Sequence, residues 1–156
     1  MVKRITSVSE LRSILDEIDS TDFVKKICEK QKHVSGEWDI NHLKSQLCQM
    51  ILAFGDDALI LVYFYKDKPV SIFAGLVSLD WACNKKGLNE IVWISVNPTL
   101  RGGFKVIEAA EKFVVDNGID FFSCSYMCNG GDPRVQMFYM NSGFRLDTLT
   151  FVKNYK

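Results

Sequence analysis

The side chains best able to act as nucleophiles, bases or metal ligands on their own are the cysteines and histidines. The five cysteines are Cys28, Cys48, Cys83, Cys124 and Cys128, and the two histidines are His33 and His42. No two cysteines have C-x-x-C spacing, and Cys124 and Cys128 lie far in sequence from either histidine. A zinc site needs several such ligands together, and a nucleophilic cysteine needs a nearby base. We therefore expect reduced, mostly buried thiols and no metal site.

Composition limits the protein class further. The chain has 156 residues, with 19 basic and 19 acidic side chains, and 47% of its residues are apolar. This predicts a single globular domain over residues 1–156. A net charge of zero does not favour binding to nucleic acid, which relies on clustered Lys and Arg. The longest apolar run, at 58–65, is far shorter than the roughly 20 residues that cross a bilayer. We expect a cytoplasmic protein without a signal peptide.

Hydrophobic periodicity predicts the elements that must position any site. A capping box at Ser7–Glu10 starts the first helix, and an apolar run at 58–65 indicates a buried strand. The predicted strands are 3–6, 58–65, 70–81, 90–97, 119–127 and 144–152, and the predicted helices begin near residues 8, 22, 39, 106 and 132. A strand–helix–strand crossover should place two strands parallel. We predict an α+β fold with a mixed, mostly antiparallel sheet and one parallel strand pair.

Three segments carry a resemblance to a known family. The first is Asn89–Pro98, a strand followed by proline, and the second is Arg101–Gly118, a loop and helix with two glycines at the start. The third is Asp132–Phe144, in which three residues separate a Phe-Tyr pair from a Gly-Phe pair. Together they resemble the GNAT superfamily of acyl-CoA-dependent N-acetyltransferases, and the order of the upstream elements also fits.

The resemblance implies a three-layer α/β/α domain that transfers an acetyl group from acetyl-CoA to a small-molecule or protein amine. It also implies that Glu90 is the general base and that Tyr139 protonates the leaving thiolate. The backbone at Ser95 and Val96 would bind the pantetheine arm and supply the oxyanion donor. A homodimer is compatible with the fold. The acceptor amine is not specified by any motif.

The loop that would bind the pyrophosphate differs from the family pattern. By resemblance, Arg101, Gly102, Gly103, Phe104 and Lys105 would hold the coenzyme, with Asp132 where the family prefers asparagine. The best helix alignment leaves the loop about three residues short, nearly one helical turn. A shorter loop presents fewer amides to a diphosphate, and Arg101 and Lys105 would compensate in part with charge.

Three functions therefore stay open at this stage. The first is an active N-acetyltransferase, supported by the signature helix with Glu90 and Tyr139. The second is an inactive GNAT-fold binding or assembly module, such as those of tailed phages, which no longer binds coenzyme A. The third is an enzyme whose acyl donor is seated differently.

Overall fold

The computed structural model describes residues 1–19, 39–96, 101–125 and 133–146. Within them, five strands form one sheet in the sequential order β1-β2-β3-β4-β5. The strands are β1 (Val2–Arg4), β2 (Ala58–Tyr65), β3 (Lys68–Leu79), β4 (Lys86–Ser95) and β5 (Phe121–Ser123). Strands β1 to β4 pair with one another in antiparallel fashion, whereas β4 and β5 are parallel. The predicted mixed sheet with one parallel pair is thus confirmed.

Three of the four helices in the described ranges begin within one residue of the predicted start, and the other begins at Gly102 rather than near residue 106. The helices are α1 (Val8–Asp19), α2 (Ile40–Phe54), α3 (Gly102–Asp116) and α4 (Pro133–Asn141). The Asp39 carboxylate caps α2 by accepting from the amides of Asn41 and His42. Gly118, at φ +60°, follows the end of α3. None of the helices in the described ranges is long and apolar enough to cross a membrane.

The sheet separates two apolar cores, which gives three layers. Helices α1 and α2 pack on one face through Leu11, Leu15 and Leu47, which meet Ile60 and Ile72 of the sheet. The other face contacts α3 and α4. Its core contains Phe73, Leu88, Val106, Ile107 and Phe138. The α/β/α arrangement that the resemblance implies is confirmed.

Several boundaries differ from prediction. Strand β3 starts at Lys68, because Lys66 and Asp67 both have positive φ and form a two-residue hairpin turn. Strand β4 starts four residues earlier than predicted, and it ends at Ser95. Of the predicted strand 119–127, residues 121–123 pair with β4. The predicted helix near 22–32 and most of the strand 144–152 lie outside the described residues.

Candidate active site

The candidate site lies where β4 and β5 separate. The two strands pair only at Gly87–Phe121, Leu88–Phe122 and Asn89–Ser123. Beyond Asn89, β4 continues to Ser95 without a described β5 partner. This leaves a wedge along one edge of β4, and Glu90 is the first residue inside it.

A bulge in β4 determines which side chains face the wedge. Gly75 of β3 pairs with Glu90 and the next residue, Ala74, pairs with Val92, so Ile91 is the extra residue. Side chains normally alternate between the faces of a strand. The bulge shifts this alternation, and Glu90 and Trp93 therefore both contact Tyr139 of α4. Ile91, which sequence alternation places on the face of Trp93, is 55% exposed.

Glu90 is held by donors from two elements. The Ser125 amide donates to its Oε2 at 3.0 Å, and the Tyr139 hydroxyl lies 3.4 Å from the same oxygen. Burial raises the pKa of Glu90 above its ordinary value, and the hydrogen bonds from Ser125, Cys124 and Tyr139 oppose that rise. The result is a half-buried carboxylate that is protonated more readily than an exposed glutamate.

Tyr139 and Cys124 complete a cluster of three titratable groups. Tyr139 is only 7% exposed. Burial, followed by the negative charge of Glu90, raises the pKa of both Tyr139 and Cys124, so both stay protonated at neutral pH. Sequence alone predicted a buried, reduced thiol at Cys124 and no contact with Glu90. Its position directly after β5, which pairs with β4 just ahead of Glu90, is the signal that could have indicated this contact.

Aromatic rings connect this cluster to the start of α3. The Trp93 ring lies 5.9 Å from that of Tyr139 and 6.3 Å from that of Phe104, measured between centroids. Phe104, in the first turn of α3, stacks on Phe138 of α4 with centroids 4.2 Å apart. An aromatic wall therefore extends from the first turn of α3 to the Glu90–Tyr139 pair.

The two glycines assigned to coenzyme binding are buried against the sheet. A Cβ on Gly102 would lie 2.8 Å from Tyr63 Cδ1, and one on Gly103 would lie 2.6 Å from Trp93 Cζ2. Close packing of α3 on the sheet is thus sufficient to explain both glycines. Their amides still belong to the first turn of a helix, where N–H groups have no intrahelical acceptor.

The two basic residues predicted to contact the coenzyme differ in their surroundings. Arg101 is exposed and adopts left-handed backbone angles (φ +51°) directly before α3. Lys105 donates to Glu108 Oε2 at 2.9 Å, so part of its charge is compensated on the surface. Asp132, the remaining residue predicted to contact the coenzyme, lies outside the described residues.

Part of the backbone predicted to hold the pantetheine arm is already hydrogen-bonded within the protein. The Val96 amide donates to the Val70 carbonyl at 2.9 Å, so it is not a free oxyanion donor. By contrast, Ser95 Oγ and Trp93 Nε1 are buried and have no hydrogen-bond partner among the described residues. Such groups are costly to leave unpaired, and both lie on β4 beyond the point where β5 stops pairing.

Other features of the described chain do not add chemistry to this site. A groove of about 460 Å³ between α1 and α2 is lined by Arg12, Lys44, Cys48 and Leu52, on the opposite face of the sheet. Lys44 there pairs with two aspartates of α1. In the described ranges, no three His, Cys, Asp or Glu side chains are grouped as metal ligands would be.

Comparison with known proteins yields structural relatives only. No protein-family profile matches the chain, and no curated protein matches it in sequence. An aminoglycoside acetyltransferase from an uncultured soil metagenomic sample superposes with a TM-score of 0.68 at 15% identity, covering 100% of this chain and 96% of that one. The same enzyme in complex with sisomicin gives 0.67 at 14% identity, with the same coverage.

A GNAT family acetyltransferase from Staphylococcus aureus also superposes over nearly the full length. Its TM-score is 0.62 at 12% identity, and the alignment covers 99% of this chain and 97% of that one. Similarity over whole chains at such low identity establishes a common fold. The fold inferred from the three sequence segments is therefore confirmed.

Proposed function

We propose that this chain, whose fold is that of the GNAT acetyltransferases, transfers the acetyl group of acetyl-CoA to a primary amine. The observation that carries the proposal is the contact between the Glu90 carboxylate and the Tyr139 hydroxyl, 3.4 Å apart, where β4 and β5 separate. A base and an acid adjacent to one cleft are what amide formation from a thioester requires.

Glu90 accepts the first proton. A lysine-like amine is protonated at neutral pH because its pKa is near 10.4, and only its neutral form can attack a carbonyl. The raised pKa of Glu90 lies closer to neutral pH and to the pKa of the amine. Proton transfer from the ammonium group to the carboxylate is therefore less unfavourable.

Tyr139 supplies the second proton. When bound, acetyl-CoA supplies an acetyl group activated as a thioester. Burial keeps the Tyr139 hydroxyl protonated, and this hydroxyl donates to the departing sulfur. The nitrogen loses its remaining excess proton as the amide forms, and that proton restores the tyrosine. One proton thus leaves through Glu90, and the reaction balances.

The residues around the wedge fit acetyl-CoA in part. The first-turn amides of α3 and the Arg101 guanidinium suit a pyrophosphate, and the unpaired Trp93 and Ser95 groups suit the amides of a pantetheine arm. Phe104 and the pairing of Lys105 with Glu108 reduce the fit. On this basis Arg101, Gly102, Gly103 and Ser95 are proposed to hold the donor.

A second candidate is a GNAT-fold binding or assembly module without coenzyme. The stacking of Phe104 on Phe138, together with the packing explanation of Gly102 and Gly103, favours it. Calorimetric titration with acetyl-CoA separates the two candidates. We expect micromolar affinity. Absence of binding at millimolar concentration would refute the acetyltransferase and leave the module.

The acceptor is proposed to be a small-molecule or protein amine. One structural relative acts on aminoglycosides, which makes an amine-rich sugar a suitable first compound to assay with acetyl-CoA.

If acetyl-CoA binds, Tyr139→Phe should reduce turnover by about 10²-fold or more, the usual contribution of a general acid, with little change in donor affinity. Unchanged turnover would remove Tyr139 from that role.

A further inference from the structure

We propose that Asn89 is a positioning residue for Glu90: its side chain holds β5 against β4 at their last described pair and so sets the point at which the two strands separate. The inference deepens the proposed function and rests on it, because it concerns the placement of the same carboxylate. It assigns a role to a side chain on the opposite face of the sheet from the chemistry.

The Asn89 side chain links three adjacent strands. Its Nδ2 donates to Ser78 Oγ of β3 at 3.1 Å, and its Oδ1 accepts from the Ser123 hydroxyl of β5 at 2.8 Å. Asn89 and Ser123 also form the last described pair between β4 and β5. Because the described part of β5 pairs over three residues only, few backbone hydrogen bonds attach it. One side chain that both donates and accepts therefore ties β5 through β4 to β3.

This link lies directly behind Glu90. Leu76, the β3 partner of Asn89, packs in the core beneath α1 and α2, so Asn89 faces that side. Glu90 follows on the other face, where it contacts Tyr139. Two residues after Ser123, the Ser125 amide donates to Glu90 Oε2 at 3.0 Å. The bond that fixes Ser123 to β4 thus also places the Ser125 amide against the carboxylate.

The start of β5 is attached independently of Asn89. The Asp120 amide donates to the Lys86 carbonyl, and the Asp120 carboxylate accepts from the Lys86 amide, both at 2.8 Å. A Cβ on Gly87 would collide with the Phe121 ring, which therefore lies close against the β4 backbone. Loss of the Asn89 side chain should release the end of β5 beside Glu90 and leave its start in place.

The Ser125 amide tests this without any acyl donor. An amide that donates to a carboxylate changes its NMR shift when that carboxylate ionises, so the Ser125 signal should show a step with pH that is missing in Glu90→Gln. We expect the step to shrink in Asn89→Ala, and exchange of the Ser125 amide with water to become about 2- to 10-fold faster, as loss of one hydrogen bond allows. Exchange of the Asp120 amide should be unchanged. An unchanged step at Ser125, or equal acceleration at Asp120, would overturn the proposal.

Matched variants show whether the hydrogen bond itself is responsible. Ser123→Ala removes the same bond from the β5 side and should act like Asn89→Ala, whereas Ser123→Thr keeps the hydroxyl and should behave like wild type. Combining the two alanine substitutions should add little to either one. Asn117→Ala removes another asparagine hydrogen bond, to the Phe113 carbonyl at the end of α3, and should leave Ser125 unchanged. Fully additive effects, or no rescue by threonine, would contradict the link.

Turnover separates this proposal from the acetyltransferase. If the protein transfers acetyl groups, Asn89→Ala should lower kcat by about tenfold or more, as displacement of a catalytic group does, with little change in affinity for acetyl-CoA. Thermal unfolding confirms that the variant is folded. Wild-type kcat in Asn89→Ala would overturn the positioning role and leave the acetyltransferase. If wild type does not bind acetyl-CoA at millimolar concentration, the acetyltransferase is refuted, and the Ser125 signal still decides whether Asn89 places this amide against Glu90.

Discussion

Substitution of Gly103 by alanine should destabilise the protein, although alanine is normally the better helix former. The added Cβ would lie 2.6 Å from Trp93 Cζ2 and 3.0 Å from Trp93 Nε1. Carbon atoms in contact are normally about 3.5–4.0 Å apart, so the helix or the indole must move by roughly 1 Å. Overpacking of this kind costs about 1–3 kcal/mol.

The helix propensity of alanine offsets part of this cost. Replacing glycine by alanine in a helix interior gains up to about 1 kcal/mol, and Gly103 is in the first turn, where the gain is smaller. The net loss is therefore about 1–2 kcal/mol. For a chain of this length, that loss corresponds to a fall in Tm of about 2–8 °C. Urea denaturation followed by circular dichroism measures the change in the free energy of unfolding directly.

A double-mutant cycle with Trp93→Phe identifies the cause. Phenylalanine lacks the indole atoms that the new Cβ would meet, so Gly103→Ala should cost at least about 1 kcal/mol less in that background. If the cost is the same in both backgrounds, Trp93 is not the reason for glycine at position 103. If Gly103→Ala stabilises the protein, the packing explanation is wrong, and exposure of an amide to a ligand becomes the better one.

Two further predictions concern the titratable cluster. The pKa of Glu90 is raised in the folded state, so its ionisation destabilises the fold as the pH rises from the pKa of the unfolded chain through that of the folded protein. Glu90→Gln should therefore be more stable than wild type at pH 8, and the difference should disappear near pH 4. A stability difference that does not change with pH in urea denaturation would contradict this. Iodoacetamide should alkylate Cys124 much more slowly than the exposed Cys83. Alkylation of Cys124 should be faster in Glu90→Gln than in wild type, because removal of the negative charge lowers the pKa of the thiol. Peptide mass spectrometry resolves the two thiols, and equal rates at Cys124 in both proteins would exclude its contact with Glu90.

The parts of the fold that sequence predicted depend on local signals. The cap at Asp39, the glycine at 118 and the proline at the start of α4 each act within one turn of a helix, so they can be recognised without knowing the rest of the chain. The segment Asp132–Phe144 carried the resemblance to the family and predicted the helix α4. These signals were sufficient for the element order and the sheet type.

The arrangement of the wedge could not be predicted in the same way. The bulge at Ile91 depends on pairing between β3 and β4, and the strict alternation assumed from sequence placed Ile91 and Trp93 together. The packing of Gly103 on Trp93 depends on how closely α3 approaches the sheet. Both are tertiary effects that override a local pattern. Sequence thus supplied the candidates Glu90 and Tyr139 but not the aromatic wall beside them.

The chemical identity of residue 90 bears on the choice between enzyme and module. Glutamine has the same shape, and its carbonyl oxygen would accept hydrogen bonds from the Ser125 amide and the Tyr139 hydroxyl. It would do so without the desolvation that raises the pKa of Glu90. For a purely structural contact, a carboxylate is therefore the more costly residue. What it adds is the ability to take up a proton beside Tyr139, and acetyl transfer needs that ability whereas an assembly module does not.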